Sequence, residues 1–319
     1  MIRLGVGVGA TMARGRGPVS GAPTISIAAG SGYAGSTYTS TVAGQWTADG
    51  APISGATGTS HVMTLANEGK AIRCGESNTI QMWVPQLVAG LVALMDARRG
   101  LTLSGASVSA WASQVGGVGG AQATGASQPV YGAAAFGGAP GLTFDGGDSL
   151  DGLNISPMPV SRTVLFAANM NHNAQYGSVL IGAGTAGGYL IREMAGKLTI
   201  TQSSVGDLAQ SASHNNLEDA ISATRLTTGS QYSFRRNGVS SGAGVPAAGT
   251  FYGSGPMRIG ANSNGAARLV GVLSSFLVWD LSLEDADVQR AEGWMAHTLS
   301  RQDLLPVSHP YKTNAPQGG

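Results

Sequence analysis

The sequence predicts an all-β protein: a small β domain followed by a larger two-sheet, jelly-roll sandwich that ends in one helix. Three observations predict it. Glycine supplies 50 of 319 residues, roughly twice ordinary usage, while charged residues make up 11% and hydrophobic ones 42%. The apolar residues fall in short runs rich in Val, Ile, Thr, Tyr, Phe and Trp, split by turns of Gly, Asn, Asp and Ser. One stretch near the end, Ser282 to Leu299, stands apart with helical spacing.

The same composition excludes several classes. The apolar content is too high for a solvated disordered chain, and the glycines keep no every-third-residue rule, so collagen is out. A net charge of +1 argues against a dedicated nucleic-acid binder. The single cysteine, Cys74, excludes an intrachain disulfide framework and a zinc cluster, and reads as a small buried hydrophobe. The longest apolar stretch, Val84 to Met95, is interrupted by Pro85, Gln86 and Gly90 and is too short to span a bilayer. Met1 to Ala10 alternates with glycine and lacks a long apolar core, so no secretory signal is expected and synthesis is placed in the cytoplasm.

Residues 1–20 read as an arm. Leu4, Val6 and Val8 alternate with glycines, a strand pattern with one bare face that needs a partner sheet. Arg3, Arg14 and Arg16 have no acidic neighbour, the first carboxylate being Asp49. A frayed terminus and a docking arm that joins another subunit by strand addition both fit. Unpaired strand edges point toward a homo-oligomer.

Residues 21–82 read as a small β domain. Strands are expected at 24–27, within 33–46, at 61–65 and at 71–74, with turns at Gly50-Ala-Pro52 and Ser54-Gly55. Short strands at this spacing predict a sandwich. Residues 83–305 form the main domain, with many short strands and no alternating helices. Asn237-Gly238 is a strong type I′ hairpin signal, because both turn residues take positive φ. In the helix, Ser282 with Asp285 forms a capping-box-like start. Val288, Ala291, Met295 and Leu299 make the buried stripe; Asp287, Arg290 and Glu292 fall on the other face, and Trp294 lies off the stripe. Trp111 and Trp279 are placed in the core and Trp83 at the domain junction. Residues 306–319 are a tail.

Two stretches of wording carry a resemblance. Gln45-Trp46, Gly50-Ala-Pro-Ile-Ser-Gly-Ala-Thr57, Val62-Met-Thr-Leu65 and Glu68-Gly69-Lys70-Ala-Ile72-Arg-Cys74 resemble the Ig-like modules of bacteriophage virion proteins, over about 35 residues. The resemblance departs after Cys74, where Gly75-Glu-Ser-Asn78 ends the module early. Leu91 to Arg98, Val108-Ser-Ala-Trp111, Gln128-Pro129-Val130 and Leu142-Thr-Phe-Asp-Gly-Gly-Asp-Ser-Leu150 resemble the opening of concanavalin-A-like (laminin-G-like) domains of phage tail and fibre proteins. Arg258-Ile-Gly260 and Leu269 to Trp279 resemble that family's closing segment, and Leu305 to Pro316 its "L-P-x-x-H-P-Y-K" tail; Met95 stands where the family has tryptophan. The resemblance implies a small Ig-like sandwich followed by a concanavalin-A-like jelly roll with one C-terminal helix. It also implies a virion surface protein of head or tail, with capsid or tail proteins as partners through the arm and host surface polysaccharide as ligand.

The residues themselves offer little chemistry. Related sandwiches include glycanases, which need two carboxylates roughly 5–10 Å apart, but no Glu-x-Asp-x-x-Glu run occurs, so no enzyme is expected. No histidine pair has metal-site spacing, no Gly-x-Ser-x-Gly elbow has plausible partners, and no glycine run has the form of a phosphate cradle. No cofactor and no metal are expected. Asp145 and Asp148, across a Gly-Gly turn, read either as turn formers in a hairpin or as a carbohydrate contact or weak Ca²⁺ site. Asn171, His172 and Asn173 with Tyr176, and His214 with Asn215, combine amides with a ring as sugar sites do, and as ordinary solvated loops also do. A glycan-binding virion protein, a purely structural decoration protein and, third, a glycan hydrolase are the readings left open.

Overall fold

The computed structural model describes residues 23–153, 155, 161–171, 177–182, 189–194, 196–202, 206–213, 215–227, 231–244, 257–261 and 268–318. The fold is all-β with one α-helix. The proposed docking residues Arg3, Leu4, Val6, Val8, Arg14 and Arg16 lie outside the described residues.

The small module holds β1 (Ile25–Ala29), β2 (Thr37–Ala48), β3 (Ala51–Val62) and β4 (Ile72–Cys74). Strand β2 organises it. Its first half pairs with β1 and its second half with β4, while β3 returns along it as a long hairpin. The register slips between Thr39 and Gly44 and again between Gln45 and Thr47. Such bulges bend a strand and raise its twist. The module thus surrounds Tyr38, Trp46, Met63, Ile72 and Cys74 with one four-stranded sheet rather than two facing ones. Cys74 is a free, fully buried thiol. The segment after it folds back: Ser77 Oγ accepts from Cys74 N at 2.9 Å, and Asn78 Oδ1 accepts from Ile25 N at 2.6 Å.

The large module carries β5 (Leu91–Asp96), β6 (Leu101–Ser104), β7 (Ser107–Ala112), β8 (Gly119–Ala121), β9 (Val130–Phe136), β10 (Ala139–Asp145) and β11 (Leu150–Leu153). It continues with β12 (Arg162–Met170), β13 (Gly177–Gly182), β14 (Tyr189–Met194), β15 (Lys197–Gln202), β16 (Gly206–Gln210) and β17 (Ala220–Thr227). Last come β18 (Gln231–Arg236), β19 (Val239–Gly244), β20 (Met257–Ile259), β21 (Val270–Trp279) and α1 (Asp285–Thr298).

One sheet runs β21–β12–β17–β18–β19, with β10 and β5 sharing the far edge of β21. The other runs β6–β7–β8–β11–β20–β13–β14–β15–β16. Side chains alternate across a strand, and here both faces of the first sheet are covered. Val164, Phe166 and Ala168 of β12 enter the core between the sheets, together with Met95, Trp111, Phe144 and Phe276. Leu165 and Ala167 point outward, where Val288, Ala291, Trp294, Met295 and Leu299 of the helix region cover them. The expected stripe is therefore buried, and Met95 fills its position completely.

Several expectations need correction. Asp145 and Asp148 do not close a hairpin: β10 pairs with β9 and β21, β11 with β8 and β20, so the turn carries the chain from one sheet to the other. The helix starts later than expected, with Glu284 as N-cap and no side-chain cap bond. Ser282 instead meets Thr227 (Oγ···Oγ1 3.0 Å), and Asp285 pairs with Arg225 at 2.6 Å. Glu292, expected on the face away from the stripe, has 0% exposure; Trp294, off the stripe, is buried as a core tryptophan. Two neighbours explain this: Glu292 borders the stripe and meets Arg235 of β18 in the sheet, and the tail wraps over the helix beside it. Tyr311 lies so close to Gly293 that a Cβ there would sit 2.5 Å from the tyrosine Cβ. Arg235 holds Glu292 through two bonds of 2.9 and 3.0 Å, and His309 Nε2 reaches the same carboxylate at 3.2 Å.

The modules are joined over a shared core. Tyr33 of the small module packs with Trp83, Trp279 and the helix, and its hydroxyl donates to Trp83 O at 2.8 Å. Trp83 N donates in turn to Pro316 O at 3.0 Å, so the end of the described chain is stitched to the linker.

Candidate functional site

Strand register decides where the loops meet. Asp145, the last residue of β10, faces Val270 at the start of β21. Met170, the last residue of β12, faces Gly271, and the start of β17 lies opposite Ala168. Three loops far apart in the chain, after Asp145, after Met170 and before Ala220, therefore share one end of the sheet. Three strand spacings separate the outer two, about 14 Å.

Backbone bonds tie these loops together. Asn171 N donates to Val270 O at 2.9 Å, and Leu217 N to Met170 O at 3.0 Å. Asn169 Nδ2 donates to Leu217 O at 2.7 Å and to Asp219 Oδ1 at 2.9 Å. Leu217 has φ of 52° and is 49% exposed, an apolar side chain displayed on left-handed backbone. That conformation is costly for a leucine, and such strain concentrates at functional sites. Sequence reasoning missed this residue, because nothing local marks a leucine for positive φ.

The structure brings the predicted residues Asp145, Asp148, Asn171 and Asn215 to this rim. Asn215 is exposed and Asn171 half-buried. His172, Asn173, Tyr176 and His214 lie outside the described residues. Asp148 is buried, and its Oδ2 accepts from Asp145 N at 2.9 Å; Asp145 Oδ1 accepts from Gly147 N at 2.6 Å. Burial raises the Asp148 carboxyl above its usual range, opposed by the Asp145 backbone bond and helped by the neighbouring Asp145 carboxylate. Both aspartates thus shape the turn, and Arg268 braces it by donating to Gly147 O at 2.6 Å. Two acids already spent on backbone N–H groups do not make a calcium shell. Among the described residues no group of three His, Cys, Asp or Glu could hold a metal.

Among the described residues the other rim acids are paired: Glu218 with Arg236 at 3.4 Å, and Asp219 with Arg301, which also binds Asp303. What the described residues of the rim offer a ligand is amides, the exposed carboxylates of Asp145 and Glu218, and an apolar side chain. This set can hydrogen-bond hydroxyl groups and cover a C–H face.

No family model matches the chain, and no curated protein matches it. Solved structures do resemble it. One is domain 4 of AbnA, a GH43 extracellular arabinanase from Geobacillus stearothermophilus, in complex with arabinotriose: 13% identity, TM-score 0.47, covering 62% of this chain and 96% of that one. The binding domain of Paraclostridial Mosquitocidal Protein 1 has 10% identity and a TM-score of 0.48, over 64% of this chain and 52% of that one. Trypanosoma rangeli sialidase in complex with sialic acid has 13% identity and a TM-score of 0.42, over 68% of this chain and 34% of that one.

Proposed function

We propose that the chain is a surface component of a phage or phage-derived particle, and that the loop rim of its large module binds host cell-surface glycan. Convergence carries the binding reading: the loops singled out for amides and acids lie far apart in sequence, yet register places them on one edge around an exposed, strained leucine. The wording shared with virion proteins supports the particle setting. In this reading residues 1–20 dock onto capsid or tail proteins, the protein acts as a homo-oligomer without catalysing a reaction, and synthesis precedes assembly in the host cytoplasm.

Glycan-array and whole-cell binding by the full chain test the proposal. Saturable binding is expected, with a tenfold or greater loss in a variant carrying Asn171→Ala, Asn215→Ala and Leu217→Gly. Binding that ignores those changes refutes the rim, and release of reducing ends from host polysaccharide would make the protein a hydrolase. Removing residues 1–20 should abolish particle incorporation; continued incorporation refutes docking by the arm.

A purely structural decoration protein is the second reading. The packed join between the modules, with Tyr33, Trp83 and Trp279 in one core, favours it, since a structural knob needs no ligand. Complete absence of binding to host envelope would select it.

A further inference from the structure

We propose a second binding site, for a neutral mono- or disaccharide, in the cleft where the linker, the helix and the C-terminal segment meet. The cleft has a volume of about 500 Å³, within the range of small-ligand sites. Its principal lining residues are Gln81, Trp83, Leu87, Asp287, Arg290 and Gln317. Trp83 is anchored in the shared core at 4% exposure, whereas Leu87 is 49% exposed, so one wall is an apolar surface facing open space. The helix side is polar. Arg290 donates to Asp287 at 2.9 Å, and their side chains keep 43% and 28% exposure.

The walls are held in place without a ligand. Gly318 N donates to Gln81 O at 2.9 Å, a bridge joins Met82 to Gln317, and Trp83 N binds Pro316 O. Two chain segments are therefore clamped side by side and the helix fixes the third wall. A preformed cleft spares a ligand the cost of ordering it.

Charge and polarity select the ligand class. An anion attracted by Arg290 would meet Asp287 beside it, and a cation the reverse. An apolar ligand would strip water from a charged pair and from the Gln317 amide without replacing the hydrogen bonds. A neutral polyol satisfies all of them. Adjacent hydroxyls can accept from the guanidinium and donate to the carboxylate, and the amide can serve a third. The C–H face of a sugar ring then covers Leu87.

This cleft is separate from the loop rim. Leu283 N donates to Thr163 Oγ1 at 2.9 Å, which places the helix start at the Thr163 end of β12, whereas the rim lies at its Met170 end. Seven residues of strand separate those ends, about 23 Å.

The test is calorimetric and NMR titration of the full chain with maltose, lactose and N,N′-diacetylchitobiose, against glucuronic acid and sialyllactose. Saturable binding of at least one neutral sugar is expected. Arg290→Ala and, independently, Gln317→Ala should each weaken it, the former at least tenfold, with melting curves showing that both variants fold. No saturable binding of any neutral sugar, preference for the acidic ones, or less than threefold weakening in both variants overturns the proposal. Sugar binding untouched in both variants but lost on changing Asn215 and Leu217 would assign that binding to the rim and leave the cleft without a ligand.

Discussion

Arg98 should decide whether the two modules behave as one body. Its guanidinium lies between two carboxylates from different modules, Asp96 at 1% and Glu68 at 2% side-chain exposure, and is itself only 11% exposed. It grips Asp96 through Nε and Nη2 at 2.9 and 2.7 Å and Glu68 through Nη1 at 2.9 Å. Arg99 adds a bond to Glu68 at 2.5 Å. Two acids and two bases balance, so the cluster is neutral as built. Arg98→Met keeps the apolar stem but leaves two buried carboxylates facing one arginine. Breaking a buried pair from one side costs about 3–5 kcal/mol. In a domain of this size each kcal/mol lowers Tm by about 2–4 °C, so a drop of about 6–20 °C is expected. Because the lost bond to Glu68 bridges the modules, scanning calorimetry should also show the small module melting ahead of the large one. Arg98→Lys should fall between, since a lysine keeps the charge but cannot fork across both acids. A variant Arg98→Met that melts within about 2 °C of the parent, in a single transition, refutes the reasoning.

Glu292→Gln should cost a comparable few kcal/mol by leaving Arg235 and His309 without their anion. Limited proteolysis should then cut faster near Val307, which is 92% exposed on the strap that Glu292 retains. Gly238→Ala should destabilise by about 1–3 kcal/mol in urea titration, because φ is 76° there and a Cβ would sit 2.7 Å from the His309 ring. Asp148 has its folded pKa raised, so the native state holds the proton more tightly than the unfolded chain. Its stabilising share is complete below the unfolded carboxyl pKa and is lost as pH rises through the folded value. Melting from acid to neutral pH should show that slope in the parent and lose it in Asp148→Asn. Leu217→Asn should raise stability by about 1 kcal/mol, since asparagine tolerates positive φ far better, while glycan binding falls.

Local patterning carried much of the architecture. The Asn237-Gly238 turn has φ of 50° and 76°, as a two-residue hairpin between Tyr232-Ser-Phe234 and Val239 requires. Val288, Ala291, Met295 and Leu299 are buried as their spacing predicts, and Cys74, Trp111 and Trp279 are in the core. These features depend on neighbours within a few residues, which is why composition and period reveal them. What tertiary structure decided is everything settled by partners far along the chain. Glu292 stands about 40° from Val288 on a helical wheel, at the border of the apolar stripe; what the wheel does not state is which groups meet its charge, and these, His309 and Arg235, come from 17 and 57 residues away. Asp145-Gly-Gly-Asp148 has the composition of a hairpin but links two sheets, because β9 and β21 occupy the edges of β10. Glu68 and Arg98 carry no local mark of pairing, being 30 residues apart and in different modules. Periodicity states which face of an element is apolar; the free energy of burying a charge or closing a cleft depends on what packs against that face, and only the folded chain supplies it.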